Sequence, residues 1–332
     1  MRSPALQDLP TPPPGRTGWP WTDESISPGE LGPSGPGRWP KISVVTPSFR
    51  QGRYIEETIR SVLLQGYPHL EFIVIDGGSL DETKSILNRY SPWIKYWVCE
   101  PDNGQSDALN KGFALASGDV CAYLNSDDIF LPNALLQVGL RMSRADHPCW
   151  IATTVEDIYP SGLRLPVAPL RYRNINDWVD GRMALPQPGV FWRRDAVTWA
   201  PVFDASLHYL MDRDFFMKMC IKGIRLEFAP EILSARFRLH SESKTVSQSE
   251  SFHGELRKLS LRYLAELSRF DHRELRRKFA VENISVCLQR FSNHSNRNIA
   301  LFELFQVLKI SPSTFVSRMF LGALRRILIE KI

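Results

Sequence analysis

Hydrophobic and polar positions between residues 41 and 140 follow two alternating periods. Short β-branched or apolar runs predict four strands, at 42–45, 71–76, 94–99 and 120–124. Apolar residues at helical spacing predict helices at 54–65, 79–90 and 105–116, with Pro132 suited to open a fourth. Ser79 and Glu82 have the spacing of a capping box, which sets the predicted start of the second helix. This repetition predicts an α/β fold with a mainly parallel, largely buried sheet of the nucleotide-binding type.

The repetition ends near Trp150, where shorter and more mixed segments begin. The predicted elements are strands at 151–158 and 189–192, a helix at 209–221, and extended segments at 225–228 and 234–239. A mixed half that follows a nucleotide-type half is expected to receive a second substrate.

Composition distinguishes both ends of the chain from its middle. Residues 1–40 hold ten of the 24 prolines and six of the 20 glycines, which predicts a disordered or loosely attached tail. Residues 246–332 hold 15 Lys and Arg against 8 Asp and Glu, so this predicted helical extension carries a net charge of +7. The main folded part is expected at 41–245, with a nucleotide-binding half at 41–140 and a second half at 150–245.

Cysteine usage and hydropathy bear on the compartment. The five cysteines are scattered, which favours a reducing environment; they are Cys99, Cys121, Cys149, Cys220 and Cys287. No apolar run reaches the length of a membrane span, and no apolar core follows Arg2 as in a secretory signal. We therefore expect a cytoplasmic protein. The sequence contains no array of basic residues with interleaved aromatics, so nucleic acid is not an expected partner.

Polar residues follow all four predicted strands. In a doubly wound sheet, ligands bind beyond the carboxyl ends of the strands. The same residue types also favour ordinary turns, so any single segment is ambiguous. The segments are Thr46-Pro47-Ser48, Asp76-Gly77-Gly78-Ser79, Glu100-Pro101-Asp102-Asn103-Gly104 and Asn125-Ser126-Asp127-Asp128.

The last of these segments, the 125–128 loop, carries two adjacent carboxylates and an amide directly after a buried strand. Adjacent carboxylates repel one another unless a cation or a proton offsets the repulsion. Mg²⁺ and Mn²⁺ take oxygen ligands and bind one or two carboxylates together with substrate phosphates. The loop therefore predicts a divalent cation site. The alternative is that Asp127 or Asp128 caps the helix near Pro132.

Taken together, the ordered motifs resemble the family 2 glycosyltransferases of GT-A fold, including those of bacterial polysaccharide biosynthesis. The motifs lie at 42–49, 75–83, 103–112 and 124–128. A looser match continues through Gln187-Pro188-Gly189 and Met211-Asp212-Arg213-Asp214 to Leu239-His240, so the resemblance covers roughly residues 40–245. It implies a GT-A catalytic domain there, with a mixed, mainly parallel sheet flanked by helices.

The resemblance implies roles for donor-binding residues. Thr46 and Pro47 would end the first strand against the nucleotide base, and Asp76 would hydrogen-bond that base, commonly a uracil. Asp107 would lie near the nucleoside. Asn125 stands where the family has the first Asp of its Asp-x-Asp motif, and a neutral amide is a poorer cation ligand than a carboxylate.

The same resemblance implies the cation site and the leaving-group site. Asp127 would be the metal-ligating carboxylate for Mn²⁺ or Mg²⁺, and His240 would complete the metal or diphosphate site. Lys244 is a further candidate to hold phosphate charge, although a solvated surface lysine explains it equally well.

An inverting transferase needs a general base to take the proton of the acceptor hydroxyl. The family places this base as the Asp of a Glu-Asp pair that opens a helix. Here the pair is Met211-Asp212, which makes Asp212 the candidate base and leaves Asp214 as the alternative. Either Asp would also be favoured at a helix N-terminus for electrostatic reasons alone.

The predicted function is inverting transfer of a sugar from a nucleotide diphosphate sugar, expected to be UDP-linked, to a hydroxyl of a glycan or lipid-linked acceptor. One alternative is a sugar-nucleotide pyrophosphorylase-like enzyme, but no Gly-rich basic loop follows the first strand. The other is a non-catalytic glycan-binding relative, which the departures at Asn125 and Met211 keep open.

Residues 315–332 combine apolar positions with Arg318, Arg325, Arg326 and Lys331. This pattern is typical of a helix that lies on an anionic membrane, which would put the protein at the inner face of the cell membrane. An amphipathic helix packed on the protein body or on a second subunit explains it equally well.

Overall fold

The computed structural model describes residues 3–25, 39–144, 149–170, 185–241, 297–311 and 317–329, together with nine single positions between 255 and 288. The chain divides into two compact units. The first contains residues 1–171 and 184–246, and the second contains residues 172–183 and 247–332.

Among the described residues, nine strands form one mixed sheet in the first unit, in the order β3-β2-β1-β4-β8-β6-β9-β5 with β7 on β6. The strands are β1 (Ile42–Ser48), β2 (Leu70–Asp76), β3 (Tyr96–Cys99), β4 (Val120–Tyr123), β5 (Ile129–Phe130), β6 (Trp150–Ile158), β7 (Arg164–Val167), β8 (Val190–Arg193) and β9 (Leu226–Arg238). The helices of this unit are α1 (Gly52–Leu63), α2 (Thr83–Tyr90), α3 (Gln105–Leu115), α4 (Ala134–Met142) and α5 (Met211–Ile221).

The parallel half of the sheet confirms the prediction from the strand–helix repetition. Strands β3, β2, β1 and β4 are parallel neighbours. Every residue of β1 and β2 is buried, as expected for strands covered on both faces. Ser48 pairs with Asp76, and Asp76 pairs with Cys99. The polar ends of these strands therefore meet at one edge of the sheet.

The second half of the sheet is mixed. Strand β8 is antiparallel to β4 and β6, whereas β9 is parallel to β6. The two predicted extended segments at 225–228 and 234–239 are parts of the single strand β9, whose pairing with β6 shifts register around Thr154. The unpredicted two-residue strand β5 pairs antiparallel with β9, opposite Ala235 and Arg236. This pairing brings the 125–128 loop beside the end of β9.

Residues 3–25, which we call the N-terminal arm, differ from the predicted disordered tail. Trp21 is buried, and the Trp19 indole donates a hydrogen bond to the Phe130 carbonyl at 2.7 Å. Leu9 belongs to the hydrophobic core. The arm is therefore a folded part of the first unit, while residues 26–38 of the predicted tail lie outside the described residues.

Arg60 of α1 is the main anchor of the N-terminal arm. Its guanidinium is fully buried and donates to the carbonyls of Pro10, Pro20 and Trp21 at 2.8–3.0 Å. It also lies 5.3 Å from the centroid of the Trp21 ring. Main-chain carbonyls are acceptors that any sequence provides, so a segment rich in Pro and Gly can dock without a periodic pattern of side chains. Composition alone could not reveal this contact.

We expect the Arg60→Met variant to lose about 3 kcal/mol of unfolding free energy, because three carbonyls, two of them in buried residues, lose their donors at once. Urea denaturation measures the change. Arg53→Met, an exposed position on the same helix, is the matched control and should unfold like the wild-type chain. Equal unfolding curves for all three proteins would rule out Arg60 as the anchor.

The second unit includes helices α6 (Arg297–Ile310) and α7 (Arg318–Ile329), which pack on one another. The rings of Phe305 and Phe320 meet edge to face, with centroids 6.0 Å apart. Of the helices that the structure describes, none has both the length and the apolar composition needed to cross a bilayer.

Candidate active site

Asp76 is the buried carboxylate at the end of β2. Its Oδ1 accepts a hydrogen bond from the Ser79 hydroxyl at 2.7 Å, and its Oδ2 accepts one from the Ser79 amide at 2.8 Å. The Ser79 hydroxyl also accepts the Arg50 amide at 2.6 Å. Ser79 therefore joins the ends of β1 and β2. The capping-box prediction was wrong, since α2 begins at Thr83 rather than after Ser79.

Thr46 and Pro47 lie near this carboxylate, two residues and one residue before the end of β1. They pair with Val74 and Ile75 of β2. Thr46 is fully buried, and among the described residues its hydroxyl has no hydrogen-bond partner. The two residues predicted to end the first strand are therefore at the same sheet edge as Asp76.

Asp102 is a carboxylate of this edge that the sequence analysis did not single out. Its Oδ1 accepts the Gly104 amide at 2.8 Å, and a Cβ on Gly77 would lie 3.0 Å from its Oδ2. Burial, aided by the charges of Asp107 and Asp76, raises the pKa of Asp102. The sequence could have indicated Asp102, because it lies in the polar segment that follows the third predicted strand.

Asp107 lies in the first turn of α3. Its Oδ2 accepts the Asn103 amide at 3.0 Å and pairs with Lys111 at 3.2 Å. The hydrogen bond from Asn103 lowers the pKa of Asp107. These contacts stabilise the first turn of α3. The predicted proximity of Asp107 to a nucleoside stays a prediction.

Two other side chains of α3 hold the loop that precedes α5. Asn110 donates to the Phe203 carbonyl at 2.8 Å and accepts the Phe203 amide at 2.9 Å. The Ser106 hydroxyl donates to the Leu207 carbonyl at 2.8 Å. Part of the 103–112 motif thus connects the nucleotide-binding half to the segment that carries Asp212, a role that no local pattern reveals.

Asn125 is held on both sides of its amide. Its Oδ1 accepts from Gln105 at 2.7 Å, and its Nδ2 donates to Asp128 Oδ2 at 3.3 Å and to Gln187 Oε1 at 3.2 Å. Gln187 in turn donates to the Tyr123 carbonyl at 2.9 Å. A carboxylate at position 125 could not donate either of these bonds, which explains how this structure accommodates an amide there.

We expect the Asn125→Asp variant to lose about 1–3 kcal/mol of stability at pH 8, because its carboxylate faces the oxygens of Asp128 and Gln187. Burial and the charge of Asp127 raise the pKa of Asp128. When a group has a higher pKa in the folded than in the unfolded protein, the folded protein loses stability as pH rises and that group is deprotonated. The deficit against wild type should therefore shrink toward pH 5 in thermal denaturation. A deficit that is the same at both pH values would contradict this account.

Asp127 and His240 come together although 113 positions separate them in the sequence. Asp127 Oδ2 lies 3.0 Å from His240 Nε2, and the two side chains are 17% and 10% exposed. Both side chains are thus partly exposed, unlike Asp128, which is buried. Within the described ranges, no cluster of three or more His, Cys, Asp and Glu side chains is arranged to hold a metal ion.

Asp128 is a structural carboxylate. Its Oδ1 accepts the main-chain amide of Arg238 at 2.9 Å, and its carbonyl accepts the Thr58 hydroxyl at 2.7 Å. These bonds fasten the 125–128 loop to β9 and to α1. The predicted alternative of a helix cap does not apply, since Asn133 is the residue that precedes α4 and the Leu135 amide in its first turn donates to Gln65 Oε1 at 3.1 Å.

The start of α5 separates the two candidate bases. Met211 is buried, and Asp212 is partly exposed, with its Oδ1 accepting the Arg213 amide at 2.7 Å. Asp214 is fully buried and pairs with Lys218 at 2.6 Å. The charges of Asp212 and Asp128, in addition to burial, raise the pKa of Tyr123.

Asp212 is thus close enough to Tyr123 of β4 for its charge to affect the pKa of that side chain. Asp214 instead has a structural contact with Lys218. The other predicted phosphate ligand, Lys244, lies outside the described residues.

Asp76 thus lies buried at the end of β2, and the partly exposed Asp127–His240 pair lies beyond the end of β4. Residues 43–197 match the model of glycosyl transferase family 2. This match identifies residues 43–197 as a family 2 glycosyltransferase domain, and the glycosyltransferase names of the relatives support the same class of enzyme.

Two relatives illustrate the sequence similarity. An uncharacterized glycosyltransferase of Mycobacterium tuberculosis is 29% identical over 188 residues, which are 55% of this chain and 70% of the relative. The putative teichuronic acid biosynthesis glycosyltransferase TuaG of Bacillus subtilis is 41% identical over 92 residues, which are 27% of this chain and 36% of the relative.

Solved structures confirm the predicted GT-A fold. S. aureus TarS 1–349 in complex with UDP-GlcNAc has a TM-score of 0.63 at 15% identity and covers 86% of this chain and 90% of its own. The mannosyltransferase PcManGT from Pyrobaculum calidifontis, in complex with GDP-Man and Mn²⁺, has a TM-score of 0.52 at 15% identity with 89% coverage of both chains.

Proposed function

We propose that this glycosyltransferase transfers a sugar from a UDP-sugar to a hydroxyl of a glycan or lipid-linked acceptor, with inversion at the anomeric carbon. The observation that carries the proposal is the accessible Asp127–His240 pair at the end of β4, 3.0 Å apart. The complexes of TarS with UDP-GlcNAc and of PcManGT with GDP-Man and Mn²⁺ support a nucleotide-sugar donor and a divalent cation. The name of TuaG supports a polysaccharide acceptor.

Asp127 and His240 fit a hard divalent cation. The Asp127 Oδ2 and His240 Nε2 atoms lie 3.0 Å apart, so both side chains would reach one ion. The carboxylate oxygen suits Mn²⁺ or Mg²⁺, and the imidazole nitrogen is better matched to Mn²⁺. These two residues would hold the ion together with the diphosphate of the donor. Asn125 is a poor third ligand, since its Oδ1 already accepts from Gln105.

The chemical step requires a base and a stabilised leaving group. We assign Asp212 as the base: the acceptor oxygen forms a bond to the anomeric carbon while its proton passes to the Asp212 carboxylate. The bond from that carbon to the diphosphate oxygen breaks, and the electron pair leaves with UDP. Asp127 and His240 would hold a divalent cation, which would supply positive charge for the departing diphosphate. Asp214 is less suited to be the base because it is buried against Lys218.

The base of the donor is assigned to the edge formed by Thr46, Pro47, Asp76 and Asp102. Asp76 already accepts two hydrogen bonds from Ser79, which fixes its carboxylate toward the strand ends. Thermal shift with UDP, GDP, ADP and dTDP in the presence of Mn²⁺ tests this assignment. UDP should give the largest shift, and a larger shift with another nucleotide would contradict the assignment.

The pyrophosphorylase-like alternative predicts consumption of pyrophosphate and release of a nucleoside triphosphate from a nucleotide sugar. The chain between β1 and α1 contains Arg50 but no glycine, and Gly52 opens α1, so a Gly-rich basic loop is absent there. The non-catalytic alternative predicts donor binding without turnover. An assay of UDP and UTP release distinguishes the three functions.

Helix α7 supports a proposal of peripheral membrane contact at the inner face of the cell membrane. Its inner face is formed by Phe320, Ala323 and Ile327, which are buried. Leu321 and Leu328, 48% and 50% exposed, lie on the outer side together with exposed arginines. Apolar side chains next to cationic ones suit an anionic lipid surface.

Removal of residues 315–332 is expected to shift the protein away from anionic vesicles in a flotation assay, while neutral vesicles recover little of either form. Arg318→Glu with Arg325→Glu keeps the helix and should have the same effect, because it reverses the charge that attracts the lipid. Flotation of both variants at the wild-type level would leave packing as the role of this helix.

A further inference from the structure

Arg238, the last residue of β9, connects three parts of the first unit. Its Nε donates to the Asp127 carbonyl at 3.0 Å, and its main-chain amide donates to Asp128 Oδ1 at 2.9 Å. Its Nη2 pairs with Glu57 of α1 at 3.1 Å, where the Glu57 side chain is 15% exposed. One arginine thus holds the 125–128 loop from two directions and attaches it to α1.

The ring of Tyr54 in α1 contacts both Arg238 and His240. Its ring centroid lies 5.1 Å from the Arg238 guanidinium carbon and 4.9 Å from the centroid of the His240 ring, at an interplanar angle of 36°. A guanidinium and an imidazole against one aromatic ring restrict the rotation of both. His240 is therefore oriented by Tyr54 while its Nε2 faces Asp127.

We propose that Arg238 and Tyr54 are positioning residues of the cation site, which fix Asp127 and His240 in the arrangement that a divalent cation requires. This inference rests on the proposed function, because it presupposes a cation on that pair. Neither residue is a ligand in this account. Arg238 acts through the main chain of Asp127, and Tyr54 acts through the imidazole of His240.

A guanidinium beside a cation site would by itself repel the cation. The Glu57 carboxylate offsets this positive charge, because it pairs with Arg238 at 3.1 Å next to the 125–128 loop. The arginine thus contributes its planar hydrogen-bonding geometry without a net positive charge. Lysine cannot reproduce that geometry, since it lacks the fork of the guanidinium.

These contacts define the variants for a test. Tyr54→Leu removes the aromatic face, whereas Tyr54→Phe keeps it. Arg238→Lys keeps the charge but loses the planar fork. Arg236→Lys is the matched control, since Arg236 lies two positions earlier in β9 and pairs with Glu156 instead.

Free Mn²⁺ is measured by electron paramagnetic resonance with the full chain and saturating UDP. We expect Tyr54→Leu and Arg238→Lys to weaken Mn²⁺ binding about tenfold, as is typical when the support of a metal ligand is lost. Tyr54→Phe and Arg236→Lys should bind Mn²⁺ like the wild-type chain. UDP affinity measured in EDTA should be unchanged in every variant.

The outcomes separate this inference from the proposed function. If the wild-type chain binds Mn²⁺ and Asp127→Ala abolishes binding, wild-type affinity in Tyr54→Leu and Arg238→Lys overturns the inference alone. If Arg238→Lys weakens UDP binding in EDTA, Arg238 is a diphosphate ligand and the positioning role is wrong. A lower melting temperature with unchanged Mn²⁺ affinity also overturns it. If the wild-type chain binds no Mn²⁺ with UDP present, the proposed cation site and this inference fail together.

Discussion

The Asp212→Asn variant is expected to turn over about 10²- to 10⁴-fold more slowly than the wild-type chain, the usual contribution of a positioned general base. Asparagine keeps the size of the side chain and its acceptor for the Arg213 amide, so the start of α5 should be unchanged. Donor affinity should stay within about twofold, because the base acts on the acceptor proton. Steady-state release of UDP at saturating donor and acceptor measures the effect.

Asp214→Asn is the matched control, two positions along the same helix. It breaks the ion pair of a fully buried carboxylate with Lys218 and should cost about 2 kcal/mol of stability. Turnover per folded molecule should remain near the wild-type value. If instead Asp214→Asn abolished turnover and Asp212→Asn did not, the base assignment would have to move to Asp214.

The Asp127→Ala variant is expected to lose about 10³-fold in kcat/KM, corresponding to several kcal/mol of leaving-group stabilisation by the cation. The reason is that Asp127 is the accessible carboxylate of the pair with His240, whereas its neighbour Asp128 is buried. Titration with Mn²⁺ should show that the residual activity no longer depends on the cation.

Asp195→Asn, which removes an exposed carboxylate paired with Arg193, serves as the comparison and should titrate with Mn²⁺ like the wild-type chain. A wild-type Mn²⁺ titration in Asp127→Ala would mean that the cation is held elsewhere or is not needed.

The parallel half of the sheet could be predicted because its strands are buried on both faces. Such strands are continuous hydrophobic runs, and β1 and β2 are buried along their whole length. The mixed half was harder, since short antiparallel strands such as β5 depend on partners far away in the sequence. The N-terminal arm was missed for a related reason: Arg60 recognises main-chain carbonyls, which no residue type signals.

The candidate site was predictable where it follows the strand ends and the family motifs. Asp76 and Asp127 are at the sheet edge, and His240 reaches Asp127 through the pairing of β5 with β9. Hydrogen-bond partners were not predictable, because Ser79 binds Asp76 instead of capping α2. Arg238 showed no local signal, since its contacts depend on three separate segments coming together.

The most direct test of cation-dependent transfer from a UDP-sugar is a measurement of UDP release. A panel of UDP-sugars is assayed with and without Mn²⁺, and the wild-type chain is compared with Asp127→Ala and Asp212→Asn. We expect the wild-type chain to turn over at least one UDP-sugar only in the presence of the cation, and each substitution to remove most of this activity. Turnover that is independent of Mn²⁺, or equal in all three proteins, would contradict it.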